Sequence, residues 1–207
     1  MTQRKRFSQA APEEVYRAIG AKRLQSKEIT AKQKPVSTFF EERLKRLQNF
    51  DLRSSERAKE LLIDACLEEA IFDHPGLKIW KAAPLKDELF NGTADYLIAP
   101  KQDFLSTPLL CVVEAKKDNF EQGRLQCLAE MRACRWNNLQ QKLQLDLWGI
   151  VTNADVWRFY GWPADGEPWE SPPYAFHPPN QVLGILSTLM QQCADEMEHS
   201  LESSVEP

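Results

Sequence analysis

Apolar residues along this chain follow two rhythms, and the changes between them fall at prolines, glycines and charge clusters. Between 36 and 49 they recur at helical spacing, with Phe39, Phe40, Leu44 and Leu47 on one side. Ser54 or Ser55 then caps a stronger helix running through Phe72, whose buried stripe is Ala58, Leu61, Leu62, Ala65, Cys66 and Phe72. His74-Pro75-Gly76 stops it, with His74 as a turn residue. The rhythm then shortens. Residues 77–85 alternate through Ile79, Trp80 and Ala82 as a first strand, and 93–98 form a second. Residues 109–113 are a continuous apolar run behind Pro108, the pattern of a central strand covered on both faces, with 101–108 as the hairpin connection. Helical spacing returns over 120–139 at Leu125, Leu128, Ala129, Arg132 and Trp136. Residues 147–160 read as strand, tight turn at Asn153 and Asp155, and strand.

The two ends of the chain differ from this middle. Residues 1–35 are polar and weakly periodic, with one short helix after Pro12, and are expected to form an arm or mobile subdomain. Prolines 163, 168, 172, 173, 178 and 179 favour an extended surface segment. A final amphipathic helix over 181–200 carries Val182, Ile185, Leu186 and Leu189, and either docks on the core or pairs two subunits as a homodimer. The tail with Glu202 and Glu206 is expected to lack fixed structure. The division is a basic, partly helical extension over 1–53, a core domain over 54–162, and a Pro-rich segment, helix and acidic tail over 163–207. The class is α/β, a mixed central sheet flanked by helices.

Charge changes this picture. The net charge is −4, yet residues 1–60 hold 15 Lys/Arg against 8 Asp/Glu and residues 61–207 hold 11 against 22, a split of +7 and −11. The basic third, with Arg4-Lys5-Arg6, Lys22-Arg23, Lys32, Lys34 and Arg43 to Arg46, either tracks a phosphate backbone or is a solvated helical surface. Five cysteines, an odd number without C-x-x-C spacing, indicate neither a disulfide framework nor a zinc site and are expected as buried thiols. The longest apolar runs are far below membrane-spanning length and Met1 to Arg6 lacks the apolar stretch of a secretory signal, so a cytoplasmic protein with no membrane partner is expected.

The candidate chemistry lies on the second and third strands. Gly92-Thr93-Ala94-Asp95 is followed by Val112-Val113-Glu114-Ala115-Lys116. Alternation puts Glu114 and Lys116 on one face about 7 Å apart, with Lys117 facing away. If the two strands are neighbours in register, Asp95 and Glu114 converge and repel each other unless a cation lies between them. Two hard carboxylates suit Mg²⁺, which keeps several waters and also binds substrate phosphate. Glu69 falls inside the stripe of the first long helix, at i+4 from Ala65, where a carboxylate is costly unless paired or metal-bound; Glu68 is its substitute in a shifted register. Asp87 and Glu88 read as a solvated turn, Arg124 and Glu130 as surface residues, and Trp148, Trp157 and Phe159 either as sheet core or as a base-stacking platform.

Asp95, Glu114-Ala115-Lys116 and the order helix, strand, strand, strand, helix, strand resemble the PD-(D/E)xK nuclease superfamily. The variant is the one written G-x-x-D, E-x-K and a downstream glutamine, as in the nuclease domains of type I restriction motor subunits. The similarity spans about 60 to about 160, and Ala94 stands where the eponymous proline would be. It implies a restriction-endonuclease-like core and divalent-metal-dependent hydrolysis of phosphodiester bonds, with DNA the expected partner and Mn²⁺ a substitute for Mg²⁺. It further implies that Asp95 and Glu114 hold the metal with the Ala115 carbonyl, and that Lys116 orients water or neutralises charge. Gln126 matches the family glutamine, with Gln122 as competitor, and Glu69 would add a carboxylate from the first core helix. The alternative is a catalytically silent member binding nucleic acid or protein.

Overall fold

The computed structural model describes residues 4–52, 54–116 and 119–203. Lys117, the Glu202 side chain and Glu206 lie outside the described residues. The elements in order are β1 (Lys5–Arg6), a 3-10 turn (Phe7–Gln9), α1 (Pro12–Ala18), β2 (Gln25–Ser26), α2 (Thr38–Leu47), α3 (Glu56–Ile71), β3 (Leu77–Lys86), β4 (Phe90–Pro100), β5 (Cys111–Ala115), α4 (Phe120–Gln140), β6 (Leu147–Thr152), β7 (Val156–Trp162), β8 (Trp169–Glu170), β9 (Tyr174–Ala175) and α5 (Asn180–Ser203). Helix starts follow local chemistry. Ser37 and Ser55 accept from the third residue beyond them, Phe40 N–H and Ala58 N–H, and Asn119 accepts from Gln122 N–H at the head of α4.

Nine strands form one mixed sheet among the described residues, ordered β1-β4-β5-β6-β7-β8-β2, with β3 also on β4 and β9 also on β7. β4 runs antiparallel to β3 and β5, β5 parallel to β6, and β6 antiparallel to β7. Because side chains alternate across β5, Cys111, Val113 and Ala115 enter one apolar core with α2, α3 and α5, whereas Val112 enters a second core beneath α4. The sheet is thus covered on both faces, as the apolar run before Glu114 predicts.

Three expectations change. Residues 4–35 are no detached arm: Phe7, Val15 and Ile19 are buried in the core beneath α4, and β1 and β2 add to the sheet. The apolar side of α5, Val182, Ile185, Leu186 and Leu189, is buried within the chain, where α5 packs on α3, so it offers no dimer face. Phe72 leaves the α3 stripe, because the helix ends at Ile71 and the ring is 82 % exposed. All five cysteines are free and buried, as expected. Trp157 and Phe159 are sheet core, and Trp148 packs edge-on against Trp169 at 5.5 Å rather than forming an open platform. No helix among the described residues is long and apolar enough to cross a membrane.

Candidate metal and phosphate site

The site sits where β4 parts from β5. Their pairing runs Ile98 with Cys111, Leu97 with Val112 and Tyr96 with Val113, and continuing it places Asp95 beside Glu114. There the ladder ends. The Ala115 N–H donates to Asp95 Oδ2 at 2.8 Å, so a side chain takes the place of a strand acceptor. Beyond this point β4 pairs with β1 instead, through Phe90 and Asn91. On the other side β5 stays tied to β6, and the Lys116 N–H donates to the Thr152 carbonyl at 2.8 Å. Asp95, Glu114 and Lys116 are therefore held by backbone on both flanks of a split in the sheet.

Electrostatics at the split is strained. The Glu114 side chain is fully buried, its ammonium partner is Lys116, and its Oε2 has no hydrogen-bond donor. Burial raises its pKa, the Asp95 charge raises it further, Lys116 opposes both, and the result is about 8. Asp95 is also raised, by burial first, against the Ala115 N–H and Lys116, with Glu56 and Glu60 of α3 adding repulsion. Burial lowers the Lys116 pKa, but Glu114, Asp95 and Glu56 together carry it above its ordinary value. Two carboxylates thus share one lysine in a place that withholds water. A divalent cation fits them, since it would occupy the undonated Glu114 oxygen and relieve the repulsion. Among the described residues no group of three or more His, Cys, Asp or Glu side chains is assembled to hold a metal, so such an ion would rest on Asp95, Glu114, the Ala115 carbonyl, water and substrate oxygen.

Gln126 belongs to this neighbourhood, and it brings a residue that composition hides. Its Nε2 donates to Glu130 Oε1 at 3.1 Å. Glu130 is no surface residue: its side chain is fully buried and its Oε2 has no partner. Burial, then the Glu114 charge, raises its pKa well above the ordinary carboxylate value, with the Gln126 amide opposing. The signal was present, since Glu130 stands between Cys127-Leu128-Ala129 and Met131 on the apolar side of α4. Gly123, one turn before Gln126, passes so close to Lys116 that an added Cβ would lie 2.9 Å from Lys116 Cγ and 2.8 Å from Val151 Cγ1. Gln122 points elsewhere, donating to the Ser8 carbonyl at 3.2 Å.

Glu69 is not brought to the site. It is buried as its position in the stripe predicts, but its carboxylate accepts from Ser37 N–H at 3.0 Å and Ser37 Oγ at 2.8 Å, bracing the start of α2. It lies thirteen residues, ~20 Å of helix, from Glu56, the α3 carboxylate whose charge reaches both Asp95 and Glu114. Glu68 is half exposed and paired with Arg43 at 3.6 Å. Asp87 is fully buried rather than solvated: it accepts from Leu89 and Phe90 N–H and pairs with Arg132, which also holds Glu88 at 2.7 Å. Arg124 is shared between Glu121 and Glu170.

A cleft of about 780 Å³ adjoins the split, lined by residues of β1, the 3-10 turn, the ends of β3 and β4, and Gln126. Compared with family models and with curated proteins, the chain matches none.

Proposed function

We propose that the chain is a divalent-metal-dependent nuclease with a restriction-endonuclease-like core, hydrolysing phosphodiester bonds in nucleic acid, with DNA the expected substrate. The observation that carries this reading is the sheet split that confines Asp95, Glu114 and Lys116 together, with a buried carboxylate oxygen lacking any donor. Mg²⁺ or Mn²⁺ held by Asp95, Glu114 and the Ala115 carbonyl would polarise a phosphoryl oxygen and acidify bound water.

The remaining work falls to the side chains. With its pKa raised, Lys116 stays an ammonium at neutral pH, which favours stabilising negative charge on the phosphoryl oxygens over accepting a proton. Glu114 anchors that ammonium, and Gly123 leaves room for its stem. Gln126 gives one of its two amide N–H groups to Glu130, which leaves the other N–H and the carbonyl oxygen to meet water, phosphate or Lys116. The raised pKa of Glu130 disfavours a third negative charge beneath Glu114.

The test is incubation of the full chain with plasmid, linear duplex, single-stranded DNA and RNA in Mg²⁺ or Mn²⁺, beside Asp95→Asn and Lys116→Ala. Metal-dependent cleavage of at least one substrate, lost in both variants, is expected. Calorimetric metal binding lost in Asp95→Asn, with no cleavage of any substrate by the wild type, would leave a silent metal-binding member of the fold. Cleavage by Asp95→Asn at the wild-type rate would remove the assignment.

A further inference from the structure

The cleft beside the site has an organisation of its own. The register pairs Arg6 of β1 with Asn91 of β4, and Asn91 with Lys86 of β3. In-register neighbours share a face, so the three exposed side chains form a row, cation, amide, cation, with the outer backbones ~10 Å apart. Thr93 continues the row two residues further along β4; between it and Asp95 the pleat changes phase opposite Ala82 of β3, whose φ is 52°, so that Phe90 and Leu97 both face the core beneath α4. The ten residues lining the cleft include Ser8, Thr93 and Gln126 but no Asp or Glu, in a chain whose last two-thirds carries −11. Nor are these two cations consumed within the protein. Among the described residues Lys5 is paired with Glu14, Lys34 with Asp73 and Arg43 with Glu68, whereas the Arg6 and Lys86 side chains have no ion-pair partner.

We infer that this cleft seats one nucleic-acid strand, its phosphates held between Arg6 and Lys86 and its path continuing along β4 to Asp95, Glu114 and Lys116. This rests on the nuclease reading and gives it a substrate form. A space of about 780 Å³ is of the size that encloses a small ligand. That scale suits a single strand or a frayed end better than an intact duplex. From Asn91 to Asp95 the strand rises ~14 Å, the span of about four stacked nucleotides at ~3.4 Å each. The polar groups between, Asn91, Thr93 and Gln126, supply neutral hydrogen bonds suited to backbone contacts without sequence preference.

The experiment measures fluorescence anisotropy of a labelled twelve-nucleotide single strand, and of the blunt duplex of the same sequence, binding the full chain in EDTA across a salt series. The wild type should bind the single strand more tightly. Arg6→Ala with Lys86→Ala should weaken that binding about tenfold and lower the salt slope by about 1.4, at about 0.7 for each lost phosphate contact. Arg6→Lys with Lys86→Arg should restore both, which separates lost charge from a disturbed fold. Wild-type affinity and slope in the alanine pair would overturn the inference, as would a duplex bound equally well through the same two residues. Since binding is read without metal, absence of hydrolysis leaves a positive result intact. Hydrolysis with an unchanged KM in the alanine pair would remove the cleft and leave the chemistry standing.

Discussion

Substituting Glu114 by glutamine should flatten the pH dependence of stability in the metal-free protein. Burial, with the charge of Asp95 added and Lys116 opposing, moves this carboxyl from its ordinary 4.5 to about 8 in the folded chain, and unfolding returns it to about 4.5. Below that lower value the group is protonated in both states, and its contribution to stability is complete. As pH rises the unfolded chain releases the proton first. Folding then loses about 1.4 kcal/mol for every tenfold fall in proton concentration, up to a ceiling of about 5 kcal/mol near pH 8. Glutamine has no proton to release and keeps the shape. Asp95 and Glu130 are raised in the same direction, so the variant retains part of the slope. Urea midpoints in EDTA between pH 5 and 8.5 measure the difference directly. Added Mg²⁺ should stabilise the wild type more at pH 8 than at pH 5, because the cation binds the ionised form. Parallel pH profiles for the two proteins would refute the premise that Glu114 is desolvated and crowded by Asp95.

Other substitutions separate the site from its surroundings. Gly123→Ala should cost about 1–3 kcal/mol by pressing on Lys116 and Val151, and should slow cleavage; an unchanged single-turnover rate would place Lys116 outside the reaction. Glu69→Ala should lower stability by about 1–3 kcal/mol by stranding Ser37, while the folded protein cleaves at the normal rate. A selective loss of kcat would return Glu69 to the chemistry. Deleting residues 1–34 should collapse or strongly lower the thermal midpoint, because it removes Phe7, Val15 and Ile19 from the core; a truncated chain melting like the wild type would make the segment an arm after all.

How far the sequence could be read depended on how much each position shares with its neighbours. The apolar run before Glu114 is fixed by burial on both faces, and such a run has few other readings. The helices over 56–71 and 120–140 announce themselves through caps and spacing, whereas the pairing that brings Asp95 to Glu114 is conditional in the sequence and comes from the strand register. Glu69 shows the limit of periodicity. Spacing reveals that a carboxylate is buried but not whether Ser37 or a metal satisfies it. Glu130 was legible in principle, being flanked by core residues, yet a charge is easily read as solvated when the burial and the neighbours that act on it come from other elements. Asp87 was misread for the same reason, its partner Arg132 lying 45 residues away. Two-residue strands such as β1 and β2 carry no period, so the stitching of the first third to the sheet left no trace in the hydrophobic pattern.

That stitching orders events in time. β1 can pair only once β4 exists, and Gln25 and Ser26 of β2 must wait for Trp169 and Glu170, made some 144 residues later. During synthesis β2 is therefore seated long after it emerges, and contacts of such long separation slow folding. Until β1 closes, Gly92 lacks the Phe7 ring that covers it and the Lys86–Asn91 row lacks Arg6. Arg6 can join that row as soon as β4 has been made, before Glu114 and Lys116 follow in the chain, whereas β2 closes onto the sheet only after β8.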